Sequence, residues 1–161
     1  MPEGQIIRCG LNSLVAHAGA RLCCLCVVCE ENEIKYLIYV SRLTDPRGPA
    51  AVTEIIRTAR TENAIHGITG ALVFDGERFC QYVEGEAGDV DRLKRAIAAD
   101  RRHAEMQVLS EDEVTTRRFS VWSMAYAFAA DSSLIDTIVN EQRAGMPIFF
   151  ENALSRCDLD N

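Results

Sequence analysis

Gln81 stands inside Phe79-Cys80-Gln81-Tyr82-Val83-Glu84-Gly85, a run apolar enough to form a buried strand. Alternation sends Phe79, Gln81 and Val83 to one face and Cys80, Tyr82 and Glu84 to the other. If the first set faces the core, a primary amide is buried with it, and leaving its donors and acceptor unpaired costs roughly 1–3 kcal/mol. Two arrangements meet that requirement. Either the amide is satisfied by core neighbours or an edge position, or it addresses a polar cofactor.

Thiols are the other reactive groups. The seven cysteines are crowded early, at Cys9, Cys23, Cys24, Cys26 and Cys29, with Cys80 and Cys157 apart from them. An odd number so placed does not make a disulfide framework. Cys23, Cys26 and Cys29 are spaced by threes, but tetrahedral zinc draws on two separated pairs and no second pair follows, so no metal is expected. Cys80 beside Gln81 keeps open a flavin-dependent or thiol redox enzyme, although the sequence has neither a nicotinamide fingerprint nor a clear substrate-activating base pair.

The elements that must position these groups begin near residue 34. Residues 1–33 carry no convincing period or capping signal, and their composition changes abruptly at Glu30-Glu31-Asn32-Glu33. They are read as an N-terminal extension, or as a mis-called start with translation beginning near Val27 or Val28, which intact mass of the native protein would decide. Ile34 to Ser41 is rich in β-branched and aromatic residues and reads as a first strand. Tyr36, Ile38 and Val40 share one face and Leu37, Tyr39 and Ser41 the other, so both faces of the sheet need cover. After Asp45-Pro46-Arg47-Gly48-Pro49, the spacing of Val52, Ile55, Ile56 and Ala59 predicts a helix from about Ala50 to Glu62, with Ile55, Ala59, Glu62 and Asn63 near one face.

Gly67 to Phe74 reads as a second strand, turned by Asp75-Gly76-Glu77-Arg78 into the antiparallel strand that carries Gln81. Val90, Leu93 and Ile97 mark a second helix that stops before Asp100. A fourth strand is expected around Met106–Leu109 and a fifth from Trp122 to Phe128. The order β-α-β-β-α-β-β predicts an α+β, ferredoxin-like sheet with both crossover helices on one face. Leu134, Ile135, Ile138 and Val139, then Ile148, Phe149, Phe150 and Leu154, give amphipathic helices for the other face. The expected division is thus 1–33 extension, 34–129 domain and 130–161 helical tail.

Between the helices and the sheet this topology leaves a slot whose expected lining is Tyr39, Ile55, Asn63, Gln81, Arg102 and His103. A flat heteroaromatic ring fits there, against Ile55 and addressed by Asn63 and Gln81. Several separated motifs now agree. Leu37-Ile38-Tyr39-Val40-Ser41, Asn63 with Gly67-Ile68-Thr69-Gly70, the Gln81 strand, Asp100-Arg101-Arg102-His103, and Arg118-Phe119 with Trp122-Ser123-Met124 closely resemble BLUF domains, the blue-light sensors using FAD, from about Ile34 to Phe128. The resemblance implies non-covalent FAD between the helices, Tyr39 as photochemical electron and proton donor, Gln81 as switching amide, and Asn63 as a flavin hydrogen-bonder. It implies Ile55, Arg102 and His103 beside the ring, and Trp122 and Met124 as signal relay. Glu62 departs from the family, where a neutral or basic residue often precedes the asparagine; solvent exposure is expected to blunt its charge.

Composition bounds the partners. A net charge of −7 over 161 residues gives no basic footprint for nucleic acid, and no eighteen-residue apolar run offers a membrane span, so a cytoplasmic protein is expected. An RNA-binding sheet stacking bases on exposed Tyr36 and Tyr82 is disfavoured by the same acidity. The 33 residues after Phe128 are too few for a cyclase, phosphodiesterase or DNA-binding domain. The expectation is therefore a stand-alone photoreceptor, not an enzyme, that signals through an unidentified downstream protein or its own homo-oligomer.

Overall fold

Three apolar strands with both faces buried must lie at the centre of a sheet, and they do. The computed structural model describes residues 33–119, 123–140 and 150, and the backbone of 159–160. Among these the strands β1 (Ile34–Leu43), β2 (Thr69–Phe74), β3 (Arg78–Glu86), β4 (His103–Val114), β5 (Ala125–Phe128) and β6 (Leu159–Asp160) lie in the order β4-β1-β3-β2-β5-β6. Each of β1 and β3 is thus hydrogen-bonded on both edges. β2 pairs parallel with β5 and the other pairings are antiparallel.

Helix α1 (Val52–Ile65) joins β1 to β2, and α2 (Ala87–Ala99) joins β3 to β4. This is the ferredoxin-like arrangement, in which each crossover skips one strand. α1 is preceded by a 3₁₀ turn, Gly48–Ala51, with Pro49 in its first turn, where a missing N–H costs nothing. It ends at His66, and Gly67 (φ +58°) turns the chain back in a conformation that side chains rarely tolerate. The β2–β3 hairpin is held by Asp75, whose Oδ1 accepts from the Glu77 and Arg78 backbone N–H groups at 3.0 and 2.7 Å. Gly70 is required by packing: a Cβ there would collide with the Tyr82 carbonyl across the β2–β3 pair.

Both crossover helices pack on one face, here the front. Val52 and Ile55 of α1 meet Leu72, Phe74 and Phe79, while Val90, Leu93 and Ile97 of α2 meet Leu37, Tyr39 and Val83. On the back, helix α3 (Ser133–Asn140) places Ile135 and Ile138 with Phe150 over Tyr36, Ile38, Ala71, Val73, Cys80 and Tyr82. The remainder of the expected second tail helix lies outside the described residues.

Two strands differ from the expectation. β4 runs from His103 to Val114 rather than Met106 to Leu109. Its outer edge is unpaired in the sheet order, which permits charged residues, and its length comes from pairing with the whole of β1. Irregular register at Ile38/Tyr39 and Val40/Arg42, with Glu105 at φ 53°, hid it from a simple alternation. β5 begins at Ala125, so Met124 precedes the strand, and Trp122 lies outside the described residues.

Candidate functional site

The front face does not close. The α1 and α2 clusters remain separate, and between them lies a cleft of about 210 Å³. The helices present small side chains to it, Thr58 and Ala59 from α1 and Ala96 from α2, while Tyr39, Leu72, Phe79 and Gln81 supply sheet residues. Ile55, Asn63, Arg102, His103 and Met124 also line it. Every described residue assigned to the slot from the sequence is therefore at this cleft.

Strand register makes the central pair. Tyr39 on β1 lies opposite Gln81 on β3, and alternation turns both to the front. The Tyr39 hydroxyl donates to Gln81 Oε1 at 2.5 Å, and Gln81 Nε2 donates to Met124 Sδ at 2.8 Å. The amide thus stands with its oxygen toward Tyr39 and its NH₂ toward sulfur. The other partner is a thioether, a weak acceptor. Burial pushes the Tyr39 hydroxyl well above its ordinary pKa, so its proton stays on oxygen in the resting molecule.

Asn63 reaches the cleft from α1. Its Nδ2 donates to the Ser123 carbonyl at 3.1 Å, but Oδ1 is buried with no partner among the described residues. An orphaned buried carbonyl oxygen carries a penalty of roughly 1–3 kcal/mol that a ligand N–H would relieve. Arg60 Nε donates to the Met124 carbonyl at 3.1 Å, so α1 holds both Ser123 and Met124.

At the other side Arg102 is already engaged. Its guanidinium holds Asp100 through contacts of 2.6–3.0 Å and keeps that carboxyl below its usual range. His103 opens β4, with Nδ1 2.9 Å from Ser41 Oγ and its ring 4.9 Å from that of Phe79. Burial lowers its pKa, which favours the neutral imidazole. Ser41, Thr58 and Ala96 were not assigned to the slot from the sequence. Ser41 was legible in retrospect, sharing a strand face with Tyr39 two residues away.

Three expectations bear on the competing readings. Cys80 is not at the cleft: it lies in the back-face cluster, fully buried, and burial pushes its thiol up to about 12, the reverse of a reactive thiolate. Tyr36 and Tyr82 are not exposed for base stacking; they are 7% and 0% exposed and stack on each other at 5.6 Å. Glu62 is exposed at the cleft rim. Among the described residues no group of His, Cys, Asp and Glu could hold a metal, and no helix is long and apolar enough to cross a membrane.

A ferredoxin-like sheet with a buried tyrosine–glutamine pair beneath an interhelical cleft defines a ligand-binding module of the α+β class. The family model described as sensors of blue light using FAD matches residues 34–125, and the chain belongs to this family, BLUF. It is 33% identical over 97 residues to photoactivated adenylate cyclase subunit beta from Euglena gracilis, spanning 59% of this chain and 11% of that relative. The dark-state structure of the BLUF protein BlrB superposes with a TM-score of 0.64 at 30% identity, covering 78% of this chain and 98% of that one. A BlrP1 structure from Klebsiella pneumoniae with FMN and cyclic diGMP gives 0.54 at 31% identity, covering 60% and 25%.

The residues fit a flavin. The cleft is largely apolar, the Asn63 oxygen left without a partner among the described residues suits a ring N–H, and the amide beside it is held on one side only by sulfur.

Proposed function

We propose that residues 34–129 form a blue-light photoreceptor module that holds FAD non-covalently, with 1–33 an extension and 130–161 a helical tail. The observation that carries this is the Tyr39–Gln81–Met124 chain beneath a cleft whose Asn63 oxygen lacks a partner. Asn63, Gln81, Arg102 and His103 hold the ring's polar edge and Ile55 its apolar face. When bound, the flavin supplies the blue-light chromophore and, once excited, a strong one-electron oxidant.

Tyr39 is the donor. Its ordinary proton is held tightly by burial, but a phenol that loses an electron becomes a strong acid, and Gln81 Oε1 is 2.5 Å away to accept. As Oε1 takes that proton, Nε2 would release one toward the reduced ring. When electron and proton return to Tyr39 the phenol is restored, and Gln81 is left with its hydrogen bonds redistributed, by exchange of the amide ends or by tautomerisation, without moving β3. Its bond to Met124 Sδ is the one most easily given up, because sulfur accepts weakly. Met124 and Trp122 form the relay, and the output passes to another protein or to a second copy of this chain; the chain itself acts as a sensor rather than an enzyme. FAD is preferred to FMN on the family's description, while the FMN-bound neighbour makes the nucleotide a point for direct extraction.

The deciding experiment is the flavin absorption band of purified protein in darkness and under blue light. A reversible red shift is expected in the native sequence. In Tyr39→Phe, which keeps ring volume and removes the hydroxyl, flavin remains bound and the shift disappears. A full shift in that variant removes Tyr39 as donor; protein that binds no flavin removes the sensor reading.

A further inference from the structure

Glu84 is the polar group that the proposed chemistry does not use. It lies three residues beyond Gln81 on β3, on the opposite face, and is 0% exposed. Its Oε1 accepts from the Phe119 backbone N–H at 2.6 Å and the Thr69 hydroxyl at 3.3 Å, and its Oε2 from the Arg118 N–H at 2.9 Å and the Tyr82 hydroxyl at 3.0 Å. Arg117 reinforces the joint, donating to Thr69 Oγ1 at 3.0 Å and to the Glu84 carbonyl at 3.4 Å. The Phe119 ring, itself buried, lies against Tyr82 at 5.1 Å.

Four residues after Phe119 the same segment supplies the cleft. The Ser123 carbonyl takes the Asn63 amide, and Met124 Sδ takes the Gln81 amide. One stretch of chain is therefore fastened at residues 118–119 to the back of β3, at 123 to α1 and at 124 to the front of the same strand. We propose that Glu84 is the positioning residue of this segment: by holding the Arg118 and Phe119 amides behind the sheet, it sets where Ser123 and Met124 meet Asn63 and Gln81 in front.

The chemistry favours a carboxylate. Two oxygens with four lone-pair sites can face four donors at once, whereas glutamine of the same shape must turn its NH₂ toward one donor pair. Glu84→Gln is thus a repulsion at the joint without a change in volume. The idea rests on the photoreceptor reading only for its functional consequence, so the primary readout uses no light.

The test compares the full-length, flavin-loaded protein with Glu84→Gln and with Ile138→Ala, a back-face variant that weakens the packing around Phe119 while keeping every hydrogen bond of the joint. Hydrogen exchange at the Arg118 and Phe119 amides should quicken by about tenfold or more in Glu84→Gln. The side-chain ¹⁵N–¹H signals of Asn63 and Gln81 in the dark should shift with it, and recovery from the lit state should change several-fold. Ile138→Ala should lower the melting temperature while leaving all three readouts native. If Glu84→Gln loses amide protection at 118–119 but keeps native Asn63 and Gln81 signals, Glu84 is only structural and the proposal fails; unchanged protection overturns it equally. Native protein with no light-induced shift would remove the sensor reading, and the dark amide signals would still decide the role of Glu84.

Discussion

On the back of the sheet Tyr36, Tyr82, Phe119, Ile135, Ile138 and Phe150 merge into one cluster, and the Glu84 carboxylate inside it accepts four hydrogen bonds. On the front the apolar residues stay in two clusters, Asn63 Oδ1 accepts none among the described residues, and one Gln81 donor is spent on sulfur. Both faces bury polar atoms beneath helices. They differ in whether the protein satisfies those atoms itself. A carboxylate that finds all its donors within the protein has no need of a ligand, whereas an amide left short keeps binding capacity for one and a low barrier to changing partners.

The comparison breaks if the back face is not the stability-bearing one. Ile135 is 0% exposed within the continuous cluster, so Ile135→Ala should cost about 2–5 kcal/mol through lost transfer energy and the cavity left behind. Urea unfolding measures it. A loss much below that range would mean that α3 collapses readily onto the gap and that the back is as loosely packed as the cleft.

On the front, paired apolar replacement should be far cheaper. Gln81→Leu alone leaves the Tyr39 hydroxyl without its acceptor, whereas Tyr39→Phe with Gln81→Leu removes both partners together. The double variant should unfold within about 1 kcal/mol of native in matched flavin-free samples, and be less destabilised than Gln81→Leu. It should also show no red shift when loaded. A double variant that costs more than the single would show that the pair is held for stability and that the front face is not a relaxed site.

Much of this contrast was legible beforehand because it rests on alternation and helical spacing. The facing of Tyr39 and Gln81 followed from period two, and the position of Asn63 from its offset to Ile55 and Ala59 on α1. What escaped was set by non-local pairing. The sequence of β4 is too charged to announce a twelve-residue strand, and only its ladder with β1 keeps it extended. Glu84 was placed on the correct face with Cys80 and Tyr82, yet its four donors come from β2, β3 and a segment 34–35 residues away, which no local pattern reveals. The pairing of Arg102 with Asp100 likewise becomes visible only in the folded chain.

The smallest difference between the faces should appear in their response to mild acid. His103 is a front-face residue that titrates near neutral pH and whose charged form is opposed by burial; Arg102 opposes it further, while Asp100 acts the other way. Its folded pKa lies below the unfolded value near 6.5, so between these two the unfolded chain binds more protons and stability rises with pH. The neutral imidazole's contribution is therefore complete above about pH 6.5 and declines progressively as pH falls toward the folded pKa. Asp45, Asp100 and Glu111, held low by arginine or lysine partners, contribute their own losses at more acid pH, through and below the ordinary carboxylate range near 4. Unfolding free energies between pH 7 and 5.5 should thus slope downward in the native sequence and flatten in His103→Asn, which keeps a polar partner for Ser41 but does not titrate. The flavin-free protein is the right sample, because a bound ring would change the burial being tested. Equal slopes in the two proteins would mean that water reaches His103 freely, and that the cleft is open where the Ser41 contact and the Phe79 ring make it closed.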